Sequence, residues 1–232
     1  MKPLISFCSQ CKGRKHHLKK TLHHNLSCIE EYDECDFVLL DFDSPDGLEE
    51  WVKTNFKDYL ESGKLKYHKV ENQPHYFQSA VKNLSHHLST GKNVINIDAD
   101  NFMSISYVLI AIKEFKKYPN STIVTETPNK KDYDLFGRIG MSRKIFDLVK
   151  GYDECFEHWG GEDHDILRRI HNLSEKMDIH EVGVSAKIAG HAIIHGAIAR
   201  AEYRTEITTR YLPPNKITSR YYGSLFNLKI NH

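Results

Sequence analysis

The sequence predicts an α/β domain built on a mainly parallel sheet with helices on both faces. Three observations carry this. Short apolar runs alternate with helical patterns from the start of the chain to about residue 125. The runs are four to six residues long and, apart from the mixed Leu65–Val70, mostly apolar, as expected for strands buried on both faces. The connecting segments are long enough for a crossover helix, so successive strands form βαβ units. In order, Leu4–Cys8 reads as a strand, and Lys15–Leu26 as a helix with Leu18, Leu22 and Leu26 at i, i+4 and i+8. Asp36–Leu40 is a second strand, and Leu48, Trp51 and Val52 mark a helix face. Leu65–Val70 is a third strand, backed by a helix carrying Phe77, Ala80, Val81, Leu84 and Leu88. Val94–Ile97 is a fourth, followed by a helix with Ile105, Val108, Leu109 and Ile112, and Thr122–Thr125 is a fifth.

Beyond residue 125 the rhythm changes. Phe136–Met141 reads as a strand, Lys144–Val149 as a short helix, Asp165–Leu173 as another helix and Val182–Ala189 as a further strand. From Gly196 on, Arg200, Arg204, Arg210, Lys216 and Arg220 surround Pro213-Pro214 with little periodicity. The 232 residues suffice for one domain with a sizeable core. A net charge of +1 gives no global field for nucleic acid or an anionic membrane. The longest apolar stretch, Tyr107–Ile112, is too short to cross a bilayer, and the start has no leader pattern, so a cytoplasmic location is expected.

Five cysteines, odd in number and unevenly placed, do not form a secreted disulfide framework. Cys8, Cys11, His16, His17, His23, His24, Cys28 and Cys35 superficially suggest a zinc module. Six residues separate the second cysteine pair rather than two to four, and the histidines flank a leucine stripe, which favours unliganded side chains.

Two constellations carry chemistry. Asp98-Ala99-Asp100 directly follows the fourth strand, and ligands of open α/β sheets bind at the carboxyl ends of strands. Two acids separated by one residue suit a hard divalent ion that also holds a diphosphate. The second is His158-Trp159-Gly160-Gly161-Glu162-Asp163-His164-Asp165, where two glycines precede three carboxylates at a predicted helix start. One acid would serve the helix dipole, worth about 0.3–1 kcal/mol. Three acids beside a tryptophan suit a site that grips sugar hydroxyls and deprotonates one of them.

The pairing of a D-x-D turn with a downstream W-G-G-E-D segment resembles the GT-A glycosyltransferases, in particular the β-1,4-galactosyltransferase, polypeptide N-acetylgalactosaminyltransferase and chondroitin-polymerase-like family 2 group. The likeness extends over most of the chain. Ile5–Leu18, with Gly13-Arg14, is similar to the first nucleotide-binding turn, and Leu40–Ser44 to the acidic turn that reads the base and ribose. Residues 77–83 resemble the helix before the D-x-D strand. Gly137–Met141 with Gly151–Glu154 resembles the run into the W-G-G-E-D segment, and Ala189-Gly190-His191 the late histidine of the metal site.

The resemblance implies a single GT-A domain over residues 1–232: a nucleotide-binding half at 1–125, an acceptor and catalytic half at 126–195, and a C-terminal tail or lid at 196–232. It implies Asp163 as catalytic base, with Glu162 holding the acceptor or donor sugar. Ser6, Arg14, Asp41, Asp43, Asn83, Asp98 and Asp100 would bind the nucleotide-sugar. Trp159, Gly160, Gly161 and Gly140 would line the sugar site. Asp100, His191 and Asp98 would hold Mn²⁺ or Mg²⁺, with His195 as the alternative to His191; an imidazole ligand tilts the choice toward manganese. Phe42 stands where the family commonly has an acid, so either Asp41 or Asp43 takes the uridine role. The implied function is transfer from a UDP-sugar to a glycan or other hydroxyl acceptor, with inversion. The implied setting is the cytoplasm, with the inner face of the membrane as the alternative and no nucleic-acid partner. Two other readings stand beside it. One is a nucleotidyltransferase or sugar-phosphate pyrophosphorylase, although Ser6–Cys11 is not its Gly-rich loop. The other is a zinc-bearing nucleic-acid module, which leaves the W-G-G-E-D segment unexplained.

Overall fold

The computed structural model describes residues 2–126, 135–156, 160–185, 216–219 and 221–231. Its centre is an eight-stranded mixed sheet with the order β7-β5-β6-β4-β1-β2-β3-β8. The strands are β1 (Ile5–Cys11), β2 (Cys35–Phe42), β3 (Leu65–Val70), β4 (Asn93–Asn96), β5 (Ser121–Glu126), β6 (Gly140–Ser142), β7 (His180–Ser185) and β8 (Ile230–Asn231). The helices are α1 (Lys15–Ser27), α2 (Leu48–Asn55), α3 (Lys57–Glu61), α4 (Gln78–Leu88), α5 (Ile105–Lys117), α6 (Arg143–Val149) and α7 (Glu162–Ser174).

β4, β1, β2 and β3 run parallel, so their carboxyl ends form one edge. The period-2 alternation of strand side chains assigns the two faces. Phe7, Phe37, Leu39, Ile95 and Ile97 pack with Leu18, Leu22 and Leu26 of α1, Leu48 of α2 and Val108 of α5. On the other face Leu40 and Phe42 pack with Val81 and Leu84 of α4, while Val94 and Met141 pack with α6 and α7. Full coverage explains why β1 and β2 are buried at every position.

Several expectations need correction. β1 continues through Ser9, Gln10 and Cys11, because Gln10 turns its amide to Ser85 Oγ (2.7 Å) and Asn96 Oδ1 (3.0 Å) and is satisfied inside the protein. β6 is antiparallel to both β4 and β5 and lies between them, so the fifth strand does not simply extend the parallel series. The expected strand at Phe136–Met141 shortens to Gly140–Ser142, since the Gly137 carbonyl and the Arg138 side chain are drawn to Asn96 and Asn101. Ile105 and Leu109, expected on the buried face of α5, are 54% and 46% exposed.

The end of the chain is also packed. Ile230 pairs with Val70 in an antiparallel register, and Leu225, Phe226 and Leu228 lie against the Leu40–Phe42 cluster. Ser219 donates from its backbone to the Val149 carbonyl at 3.0 Å. The reading of Arg200–Arg220 as a lid or solvated extension falls outside the described residues except at 216–219. The expected strand Val182–Ala189 likewise extends beyond them after Ser185. Among the described residues no helix is long and apolar enough to cross a membrane.

Candidate active site

The D-x-D turn leaves β4 at the carboxyl edge, and each of its acids is held by an asparagine. Asn96 Nδ2 donates to Asp98 Oδ1 at 3.0 Å and to the Gly137 carbonyl at 3.1 Å, while its Oδ1 accepts from Gln10. Asn101 Nδ2 donates to Asp100 Oδ1 at 3.0 Å, and Asn101 Oδ1 accepts from Arg138 Nε, also at 3.0 Å. Arg138 is fully buried, and burial lowers its pKa to about 10, with Tyr107, Asp98 and Asp100 opposing the fall. It remains a cation at neutral pH and offsets the field of the two carboxylates.

The acidic segment arrives from the other half of the chain. Gly160 and Gly161 have φ of +101° and +93°, a region that side chains other than glycine rarely adopt, and a Cβ on Gly161 would lie 2.9 Å from the Phe156 ring. This turn starts α7 at Glu162. Asp165, one turn into the helix, is fully buried and serves the fold: Arg169 Nε donates to its Oδ2 (2.7 Å) and Arg168 to its Oδ1 (3.1 Å). Glu162 and Asp163 instead share one cation from α4. Lys82 Nζ donates to Glu162 Oε1 at 3.0 Å and to Asp163 Oδ1 at 2.8 Å.

Asp163 and Asp98 converge on Gly137. A Cβ on that glycine would lie 3.1 Å from Asp163 Oδ2 and 3.3 Å from Asp98 Oδ2. Burial raises the Asp163 pKa to about 7; Lys82 opposes the rise, and Glu162 and Asp98 add to it. For Lys82, burial works against the charged form, but Asp163 and Glu162 outweigh it and hold the ammonium well above the usual lysine range. A carboxylate titrating near neutrality beside a D-x-D turn is suited to general-base work. Gly137→Ala is expected to lower turnover by about 10²-fold, the scale of a misplaced reacting group, with little change in melting temperature. Steady-state kinetics beside a thermal melt check this.

The other expected residues divide. Arg14 caps α1 at the same edge and is exposed. Asp43, with φ of +57°, lies at the end of β2; its Oδ2 accepts from Gln73 N at 2.9 Å, and Lys12 Nζ is 3.8 Å away. Asp41 is not available: it is fully buried, with Oδ2 accepting from Tyr67 Oη (2.6 Å) and Oδ1 from Ser44 N (2.8 Å). Of the two acids, Asp43 is the one that remains part-exposed at the end of β2. Ser6 is a correction as well. It sits at the amino end of β1, opposite the site, and its Oγ accepts from Gly91 N at 3.0 Å. Asn83 is a clamp on the chain rather than a ligand-binding residue: its amide bonds Tyr152 O, Tyr152 N and Glu154 Oε1 at 2.8–2.9 Å. Gly140 is inside the sheet, where a Cβ would lie 2.9 Å from Ile95 Cγ1, and is no sugar-lining residue. Trp159, His191 and His195 lie outside the described residues.

Among the described residues no three His, Cys, Asp or Glu side chains gather to cage a metal. The donor set is nevertheless suitable for one. Asp98 and Asp100 bring hard carboxylate oxygens, the donor type magnesium-like ions take when substrate phosphates complete the shell. Lys82, Asn96 and Asn101 carry the geometry without a role of their own in the sequence pattern, and Gly137 and Arg138 entered it only as part of the Gly137–Met141 run. The available signal for Lys82 was its place in the 77–83 run; lysine is rarely buried without a partner, and its partners lie about 80 positions away.

Residues 122–192 match a family described as the N-terminal domain of galactosyltransferase. That stretch contains Gly137, Glu162, Asp163 and His191. No curated protein matches the chain at the level of sequence. Among solved structures, the fold is similar to residues 1–349 of TarS from S. aureus in complex with UDP, with a TM-score of 0.57, 14% identity, and 80% of this chain and 60% of that one covered. It is also similar to the mannosyltransferase PcManGT from Pyrobaculum calidifontis in complex with GDP-Man and Mn²⁺, with a TM-score of 0.64, 13% identity, and 87% and 60% covered. The chain thus spans about 60% of the length of these relatives. The sheet therefore has the GT-A fold of these structures, and within it residues 122–192 carry a segment similar to the galactosyltransferase family.

Proposed function

We propose that the chain transfers a sugar from a nucleoside-diphosphate sugar, with UDP as carrier, to an acceptor hydroxyl with inversion at the anomeric carbon. The observation that carries this is the convergence of Asp163 Oδ2 and Asp98 Oδ2 on Gly137 at the carboxyl edge of the sheet. The UDP bound by TarS and the GDP-Man bound by PcManGT support a nucleoside-diphosphate donor. Residues 1–125 supply the nucleotide side through Arg14, Asp43 and the D-x-D turn. Residues 126–195 supply the acceptor side through Glu162 and Asp163.

Asp98 and Asp100, with His191 as the resemblance implies, would hold Mn²⁺ or Mg²⁺. When bound, such an ion neutralises charge on the leaving diphosphate. Asp163 accepts the proton of the acceptor hydroxyl, and that oxygen forms the new bond to the anomeric carbon. The carbon–phosphate-oxygen bond breaks with its electron pair leaving on the nucleoside diphosphate. One displacement from the opposite face inverts the centre. Glu162 orients a sugar hydroxyl.

The test is a thermal-shift panel of UDP, UDP-sugars and GDP-mannose with and without Mn²⁺. Ligand at a hundredfold over its Kd stabilises by about 2.7 kcal/mol. For a domain of this size that raises Tm by about 5–10 °C. A rise that requires both UDP and Mn²⁺ is expected; no rise with any nucleotide would end the reading.

A further inference from the structure

We propose that Lys82 is the positioning residue of the transfer site, its one ammonium fixing one oxygen of each acidic side chain so that the other oxygen of each is left for substrate. This rests on the glycosyltransferase reading and adds to it the residue that sets the base. Lys82 takes Asp163 Oδ1 (2.8 Å) and Glu162 Oε1 (3.0 Å). Asp163 Oδ2 is thereby turned to Gly137 and Asp98. Glu162 Oε2 is buried and has no hydrogen-bond partner among the described residues.

The contrast with Asp165 separates this from an ordinary buried ion pair. Both oxygens of Asp165 are consumed, by Arg168 and Arg169, and its charge is neutralised. With both acids ionised, Glu162 and Asp163 bring two negative charges to one cation, so the trio is then net negative, and each acid keeps one oxygen that Lys82 does not take. A buried trio that only held α4 to α7 would be cheaper if fully paired, because uncompensated buried charge is costly. A set that must accept one proton from an alcohol and one hydrogen bond from a sugar needs those two oxygens. Lys82 is itself well fixed: it is 1% exposed, it sits in a helix buried at every position from Ser79 to His86, and its Nζ lies 5.0 Å from the Tyr152 ring centroid.

The experiment compares Lys82→Met and Lys82→Arg with the wild type by crystallography, by titration with UDP and Mn²⁺, and by turnover of UDP-glucose, UDP-galactose, their N-acetylated forms and GDP-mannose. In Lys82→Met the carboxylates of Asp163 and Glu162 are expected to leave their wild-type orientations. Its kcat should fall about 10²-fold, with donor KM and UDP affinity within about threefold. Lys82→Arg, which keeps donors for both acids, should recover most of kcat. Should Lys82→Met not fold, the double variant Lys82→Met/Glu162→Gln removes the excess charge, and its crystal structure, set beside that of Glu162→Gln alone, is expected to show Asp163 displaced only where Lys82 is missing. Unchanged carboxylate orientation, wild-type kcat in the variant, or loss of UDP binding in step with kcat would overturn the proposal. A wild type that turns over no donor would sink the glycosyltransferase reading instead, and the crystal structures would still decide whether Lys82 sets the two acids.

Discussion

Asp163→Asn is expected to lower kcat by about 10²–10⁴, the usual contribution of a general base, while leaving donor affinity nearly intact. The substitution keeps the shape of the side chain, including an oxygen that can accept from Lys82, and deletes only the basicity. Asp165→Asn breaks a fully paired buried salt bridge with Arg169 and should instead destabilise the protein without this signature. If Asp163→Asn works normally and Glu162→Gln is dead, the base has been misassigned.

A pH dependence accompanies this. The base works as the carboxylate, so kcat should rise as pH passes through about 7 and level off above it. In Asp163→Asn that limb should vanish. The linkage to stability has the opposite sign from an ordinary salt-bridged aspartate. The Asp163 pKa in the folded protein lies above the ordinary 3.8, so between about pH 4 and pH 7 the native state binds more protons than the unfolded one. Its contribution to stability is therefore greatest at the low end of that window and declines as pH rises through it. Urea titrations of the wild type and Asp163→Asn between pH 5 and 8 measure the difference.

The second large effect is at the D-x-D turn. Asp100→Ala is expected to abolish the metal-dependent part of nucleotide binding, so the rise of about 5–10 °C in Tm with UDP and Mn²⁺ falls to that seen with UDP in chelator. Full turnover by the wild type in excess chelator would remove the metal from the mechanism. Asn101 fixes Asp100, and Arg138 fixes Asn101, so Asn101→Ala should give a smaller loss of the same kind, about 10–100-fold in metal affinity. Isothermal titration with Mn²⁺ and UDP distinguishes the two.

Most of the architecture was legible in the chain because it is written in local patterns. The stripe Leu18, Leu22, Leu26 and the runs Leu65–Val70 and Val94–Ile97 fix element type through periodicity, and strand–helix alternation fixes the parallel core. The D-x-D turn and the Gly-Gly-Glu-Asp turn were legible for the same reason, as acids at predicted element ends. Local pattern could not say that β6 inserts antiparallel between β4 and β5, because three residues carry too little periodicity to set a partner. Nor could it say that Ile230 returns to pair with Val70, 160 positions earlier in the chain.

Within the site, the sequence by itself determined which residue types would do the chemistry, and the tertiary structure decided which of them can. Asp41 and Asp43 are equivalent as letters two apart on a strand, yet burial and Tyr67 consume one and leave the other at the edge. Ser6 and Gln10 share one strand, yet only the carboxyl end of β1 reaches the site, since strand direction is a property of the assembled sheet. Lys82 is only one residue of the 77–83 run in the linear chain, and α7 brings Glu162 and Asp163 against it. Strand and helix identity come from short-range repetition that a linear string preserves. The ionisation and orientation of a carboxylate depend on its desolvation and on charges a few ångströms away, and those neighbours are assembled only when the chain folds.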